Sequence, residues 1–429
     1  MKINFSRVLL GCLLVFYVSI IRAEEKHTPN FPELNGFIET RLGTRIDHDP
    51  NQQDTSIAEL RLQLETEQDF EEVTFNLVMD LVYDSVLDIE SPDLETGEGV
   101  IDLRQANMVF SPLDFMDIKL GRQILTWGTG DLLFINDLFA KDWSAFLIGR
   151  DVEYLKAPTD ALKISLFHQA VNADIVYTPT FNPDRYIDGK RISFYDRTTN
   201  SRRGREAPLM VDLPNAAFED DELSIRLYQT VNVYEAAIYY YDGFWKSPAG
   251  QNALTGNATF PALEVFGASL RGPIANGIGY IEVGYYQSEA TAASDPLRRN
   301  SEYRYLLGYE QEVATELTLG AQFYLEYKLD YDQYLASLPV EVIADDQYRR
   351  VFTLRLTQLL MQQNLRLSFF NFYSPSDEDG YTRINISYKF TDELKAEGGL
   401  NFFYGQQAHT FYAQFEENSN LYTAVRYEF

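Results

Sequence analysis

Cysteine is nearly absent. The single residue, Cys12, lies in an apolar leader, and removal of residues 1–23 would leave none. Disulfides, thiolate nucleophiles and cysteine-ligated metals are then excluded. Histidine is scarce too, with His27, His48, His168 and His409 scattered along 429 residues. No G-x-S-x-G, H-E-x-x-H or phosphate-cradling glycine loop accompanies them, so no enzyme, cofactor or metal centre is indicated. Long apolar runs are missing after residue 21, and a spanning helix needs ~20 such residues. Basic residues are few. Losing Lys2, Arg7 and Arg22 with the leader leaves 33 against 64 acidic residues, a net charge near −31. Such a chain has no electrostatic reason to bind nucleic acid.

Aromatic side chains, by contrast, are abundant: 29 tyrosines and 29 phenylalanines in a chain whose mean hydropathy is −0.26. A polar average with many rings is what alternating lipid-facing and lumen-facing residues produce. The N-terminus reads as a secretory signal. Lys2 and Arg7 precede the apolar stretch Val8–Ile21, and Ala23 follows as the cleavage point. Cys12 follows Leu9-Leu10-Gly11 as in a lipoprotein box, but the apolar run ahead of it is too short for that use.

From about residue 36 the chain alternates with period two. Leu60, Leu62 and Leu64 oppose Glu59, Arg61, Gln63 and Glu65, and Phe352, Leu354 and Leu356 oppose Thr353, Arg355 and Thr357. Short turns are expected near 69–71, 111–113, 157–160, 230–231, 272–275, 312–314, 361–363 and 390–392. Longer loops are expected near 47–53, 86–98, 127–148, 170–219, 243–258, 289–299, 331–346, 375–378 and 406–419. Eight turns and nine loops connect 18 strands, and one misread hairpin would make 16. The fold class is therefore an all-β, transmembrane, antiparallel up-and-down β-barrel occupying residues 24–429 as one domain. Aromatic clusters at Tyr239–Trp245 and Phe369–Tyr373 suit an outer girdle at headgroup level.

The final residues, Leu421 to Phe429, alternate in the same way and end on Tyr427 and Phe429. This ending resembles the C-terminal assembly signature of bacterial outer-membrane barrels, which implies recognition by the barrel-assembly machinery. Leu103-Arg104-Gln105-Ala106, Gly121-Arg122-Gln123 and Trp127-Gly128 resemble the central segment of porin-like and alginate-export-type barrels. That resemblance implies a channel of the Gram-negative outer membrane, surrounded by lipid and lipopolysaccharide. In porins the third outer loop often bends inward, so 127–148, with Trp127 and Asp131, is the expected constriction. The segment Trp127-Gly128-Thr129-Gly130-Asp131 departs from the pattern.

Charge supplies the remaining candidates. Loop 170–219 carries a basic insert of Arg185, Lys190, Arg191, Arg197, Arg202, Arg203 and Arg205, opposed locally by Asp188 and Asp196. It would attract anions from the lumen, or fold against acidic neighbours or lipid phosphates. Strand parity points Arg41, Arg45, Arg355, Arg366, Arg383, Lys389, Lys395 and Arg426 inward, with Glu39, Glu397 and Glu428. A second wall would carry Glu282, Glu302, Glu310, Glu316 and Glu326 with Arg304. Arg122 either faces the lumen or caps a strand. The acidic loops Asp47-His48-Asp49 and Asp377-Glu378-Asp379-Gly380 could bridge to lipopolysaccharide through divalent cations. The expected function is a porin or substrate-guided channel for small polar solutes, with anions such as sugar acids preferred. The other reading is a plugged structural, adhesive or export-associated barrel.

Overall fold

The computed structural model describes residues 33–429 except 88, 90, 198, 290, 291, 340 and 341, so the leader lies outside the described residues. About 57% of the described residues are strand and 6% helix. Eighteen antiparallel strands form one sheet: β1 (Leu34–Arg45), β2 (Thr55–Phe70), β3 (Val73–Asp84), β4 (Ile101–Leu113), β5 (Met116–Ile124), β6 (Pro158–Leu166), β7 (Asn172–Thr178), β8 (Glu222–Val231), β9 (Tyr234–Phe244), β10 (Ala262–Ile274), β11 (Gly277–Ser288), β12 (Glu302–Ala314), β13 (Leu317–Lys328), β14 (Tyr348–Leu360), β15 (Leu365–Ser374), β16 (Asp379–Lys389), β17 (Leu394–Gly405) and β18 (Asn420–Glu428). Each pairs with its sequence neighbours, and β18 pairs with β1 from Phe37↔Glu428 to Arg45↔Asn420. Closure leaves no strand edge unpaired, which a sheet in lipid requires. The terminal residue completes the seam, because Gly36 and Phe429 exchange backbone hydrogen bonds of 3.0 and 2.9 Å.

Alternation sorts the wall. Along β18, Leu421, Val425 and Tyr427 are exposed outward while Tyr422, Ala424 and Arg426 are buried inward. Leu42, Ile281, Leu307 and Phe352 extend the same apolar outer face. Among the described residues no helix is long and apolar enough to cross a membrane.

The strand number is as expected, but one hairpin lies elsewhere. The turn expected at 157–160 lies at 167–171, because Val152–Leu155 winds into a 3-10 turn capped by Asp151 and Pro158 starts β6. The two long loops therefore run 125–157 and 179–221. The expected 127–148 extends at both ends, and the expected 170–219 begins with a strand. Proline at a strand's first residue, where its missing N–H costs least, imitates a turn signal.

Short elements occupy the loops, among them α1 (Trp143–Leu147), α2 (Tyr331–Ser337) and the ribbon pairing Phe194–Asp196 with Ser201–Arg203. Gly121 in β5 has φ +116°, and a Cβ there would lie 2.4 Å from the Ala106 carbonyl oxygen. The close approach of β4 and β5 thus admits only glycine.

Candidate functional site: a lumen lined by an infolded loop

Loop 125–157 enters the barrel and runs round its inner wall. At its start the Trp127 ring meets Phe139 edge-on at 4.8 Å and lies 6.1 Å from Tyr239 of β9. Next, the buried carboxylate of Glu282 on β11 gathers the loop. It accepts from Thr129 Oγ1 at 2.8 Å, Gly130 N at 2.8 Å and Asn136 Nδ2 at 2.9 Å, and also from Thr129 N. Hydrogen bonds to a charged acceptor are stronger than neutral ones, so Glu282 acts as an anchor. Asp131 comes next, exchanging backbone hydrogen bonds of 2.8 Å with the Gln322 amide on β13. Its carboxylate meets Arg355 Nη1 of β14 at 2.7 Å.

The second half of the loop crosses to the opposite wall. Asp142 caps α1 by accepting from Ala145 N at 2.7 Å. Arg383 of β16 donates to the carbonyls of Phe146 (3.3 Å) and Arg150 (2.7 Å), and Arg41 of β1 donates to Gly149 O at 2.6 Å. Gly149 has φ +90°, and a Cβ there would stand 2.4 Å from the Tyr422 ring. Finally Tyr154 reaches β3, donating to Asp80 at 2.7 Å, with its ring 4.6 Å from the Arg61 guanidinium and 4.7 Å from that of Arg104. A β-bulge where Val78 and Met79 face Gln105 and Leu103 turns Arg104 toward this ring.

All of the basic insert but the exposed Arg205 is ion-paired with its neighbours. Arg185 is buried, with Asp102 of β4 at 2.8 Å and Asp142 at 3.3 Å. Burial opposes its charge, but the two carboxylates outweigh that and hold its pKa above the ordinary arginine value. Lys190 pairs with Glu98 at 2.9 Å and Asp188 at 3.0 Å. Arg191 contacts Asp84 and donates to Ser56 O at 3.1 Å; burial lowers its pKa to about 10 against the pull of Glu59. Arg197 pairs with Asp345, Arg202 with Glu417 at 3.2 Å, and Arg203 with Asp196. Arg205 donates its backbone N–H to Asn51 O at 3.1 Å. These bonds tie loop 179–221 to the wall and to loops 46–54, 85–100, 329–347 and 406–419.

On the wall itself, Arg426 and Arg41 share Glu39, at 2.9 and 3.0 Å, and Arg41 also reaches Glu397 at 3.0 Å. Arg45 donates to backbone carbonyls, among them Thr55 O at 3.2 Å. Lys395 lies 3.8 Å from both Asp151 and Glu397. Arg366 and Lys389 differ. Both are exposed near the short-turn ends of β15 and β16, on the faces that bury Phe370 and Arg383. Among the described residues neither has a carboxylate at ion-pair distance. Glu302 pairs with Arg304 (2.6 Å) and Arg299 (3.0 Å), while Arg299, Arg349 and Arg304 surround Glu326 at 3.6–3.9 Å. The expected acidic wall is therefore interleaved with arginines, and Glu316 sits in the turn between β12 and β13 at φ 57°.

Three further expectations change. Arg122 shares its strand face with exposed Leu120, lies 3.4 Å from Asp160 and donates to Leu94 O at 2.8 Å, so it is outside the lumen beneath loop 85–100. The girdle clusters divide. Tyr239, Tyr241, Trp245, Phe370 and Phe372 are buried, and only alternate members such as Tyr373 face outward. Of the acidic-loop groups, Asp49 accepts from Asn51 N at 2.8 Å and from Ser193 Oγ at 2.5 Å. Asp377 pairs with Arg349 at 2.8 Å and Asp379 accepts from Tyr412 N at 2.6 Å.

The buried rings define a feature that was not anticipated, a cavity of about 410 Å³ at the long-loop end. Phe134 and Trp143 come from loop 125–157, Phe194 and Leu209 from loop 179–221, Phe411 and Phe415 from loop 406–419, and Tyr286, Tyr324 and Phe372 from the wall. Inward aromatics at alternate strand positions were the available signal. Only the folded loops bring them together.

The structure resembles that of Acinetobacter baumannii OccAB1, with a TM-score of 0.56, 9% identity, and coverage of 95% of this chain and 99% of that one. It is also similar to Pseudomonas aeruginosa OccK5 (OpdH), with a TM-score of 0.53, 10% identity, and coverage of 92% and 97%. A mutant of the Rh. blastica porin aligns over 93% of this chain and 100% of that one, at 11% identity and a TM-score of 0.40. No protein-family model and no curated relative matches the sequence. At these identities the likeness establishes the fold, a porin-like β-barrel.

Proposed function

We propose that this chain is a substrate-guided channel of a Gram-negative outer membrane. It would be delivered by a leader removed after Ala23 and assembled with the help of its Tyr427–Phe429 ending. The outward apolar face fits lipid. The observation that carries the reading is loop 125–157. Its successive bonds to Glu282, Gln322, Arg355, Arg383, Arg41 and Asp80 narrow the lumen with chosen residues instead of leaving a wide aqueous pore. Selection would then be by contact with the lining, without covalent chemistry. The preference for anions loses most of the basic insert as a support, since all its cations but Arg205 are paired. It keeps Arg205, and also Arg366 and Lys389 at the short-turn mouth.

The test is current through the refolded protein in a planar bilayer under a salt gradient. Small, stepwise conductance is the expected outcome. Large, unselective conductance would return the chain to the general diffusion porins. A folded barrel carrying neither current nor solute would replace the channel with the plugged, structural reading.

A further inference from the structure

We infer that the 410 Å³ cavity at the long-loop end is a binding site for a small, uncharged, largely aromatic solute, a conclusion that rests on the channel reading and names the substrate class for it. The volume falls within the ~300–1,000 Å³ typical of small-molecule sites. Rings and aliphatic side chains from loops 125–157, 179–221, 245–261 and 406–419 and from the strands make up most of its lining, with charged groups between them.

Most of the charged groups on the lining already have partners there or just behind it. Lys141 bonds Asp137 at 2.9 Å. Asp184 accepts from Lys141 N (2.8 Å), Trp143 Nε1 (3.0 Å) and Ser247 Oγ (2.7 Å). Glu326 accepts from Tyr324 at 2.8 Å, and Arg304 and Arg299 are matched by Glu302. An ionised guest would have to break one of these pairs and leave its partner buried, which is costly. An uncharged aromatic guest loses nothing of that kind and gains edge and face contacts with the rings. Arg299 is the most open of the charged lining groups, its side chain 36% exposed and its guanidinium 4.6 Å from the Trp245 ring centroid, and the buried Nη2 of Arg349 has no hydrogen-bond partner. Arg299 can donate to a hydroxyl or carbonyl at the end of the solute.

The experiment is equilibrium dialysis of 2-naphthol, and separately of gluconate, against the full barrel in lipid nanodiscs, with protein-free nanodiscs as reference. One saturable naphthol site per barrel is expected, with no retention of gluconate. Phe411→Ala and Leu209→Asp, both in loops outside the sheet, should each weaken naphthol binding by about fivefold or more. Naphthol retained only as in empty nanodiscs, binding unchanged in both variants, or saturable gluconate binding would each overturn the inference. A conducting barrel that binds no naphthol would sink this inference and leave the channel reading intact. Naphthol binding without any current or solute flux would do the reverse.

Discussion

Asp131 and Arg355 meet at 2.7 Å on one inner wall of the barrel, joining the infolded loop to strand β14. Each side chain is about one-third exposed, at 28% and 33%, so water and salt reach the pair. Such a pair contributes ~1 kcal/mol or less. Arg355→Ala should therefore raise the released fraction of the loop by no more than about fivefold. Single-channel recording should show more frequent excursions to a larger conductance. An unchanged trace would mean that this pair does not hold the constriction.

Glu282 should matter more than Asp131. It is 1% exposed and accepts from the loop at several atoms. Glu282→Ala leaves those donors without a partner, at roughly 1–3 kcal/mol each where water cannot replace it. The expected result is protease cutting within 125–157 in a variant whose barrel still resists unfolding. Resistance equal to the parent protein would remove Glu282 as the anchor.

Arg185 is the central tie of loop 179–221. Arg185→Met leaves buried Asp102 with only Arg104 at 3.8 Å and Asp142 with only its helix-cap bond, a loss of about 3 kcal/mol. Adding Asp102→Asn should recover part of it, which a double-mutant cycle in urea measures. Simple additivity of the two changes would contradict the pairing.

Asp345 supplies a pH test. Burial raises its pKa, but Lys328 and Arg197 outweigh burial and hold the carboxyl well below the usual aspartate range. Its depressed pKa means the contribution is fully present above the unfolded-state value near 4 and is lost as pH falls through the folded one. The tie between loops 179–221 and 329–347 should hold at pH 5 and weaken only in strong acid. Hydrogen exchange around Arg197 that accelerates between pH 7 and 5 would contradict this sign.

The alternation of apolar and polar residues by itself determined a barrel, and pointed to 18 strands while leaving 16 open, because side chains on a strand have only two faces and lipid accepts only one kind. It likewise settled which side of β14, β16 and β18 is wet. Two signals misled. Pro158 starts a strand yet looks like a turn, and Arg122 lies near a strand end where a covering loop, not parity alone, decides its surroundings. What the lumen contains was decided by tertiary structure. Whether Arg185 or Arg191 is a free cation depends on carboxylates that are distant in sequence, such as Asp102 and Asp84. The aromatic cavity has the same origin. Phe134, Phe194, Phe372 and Phe411 lie on separate loops and strands, and no local pattern records that chain closure will place their rings around one space.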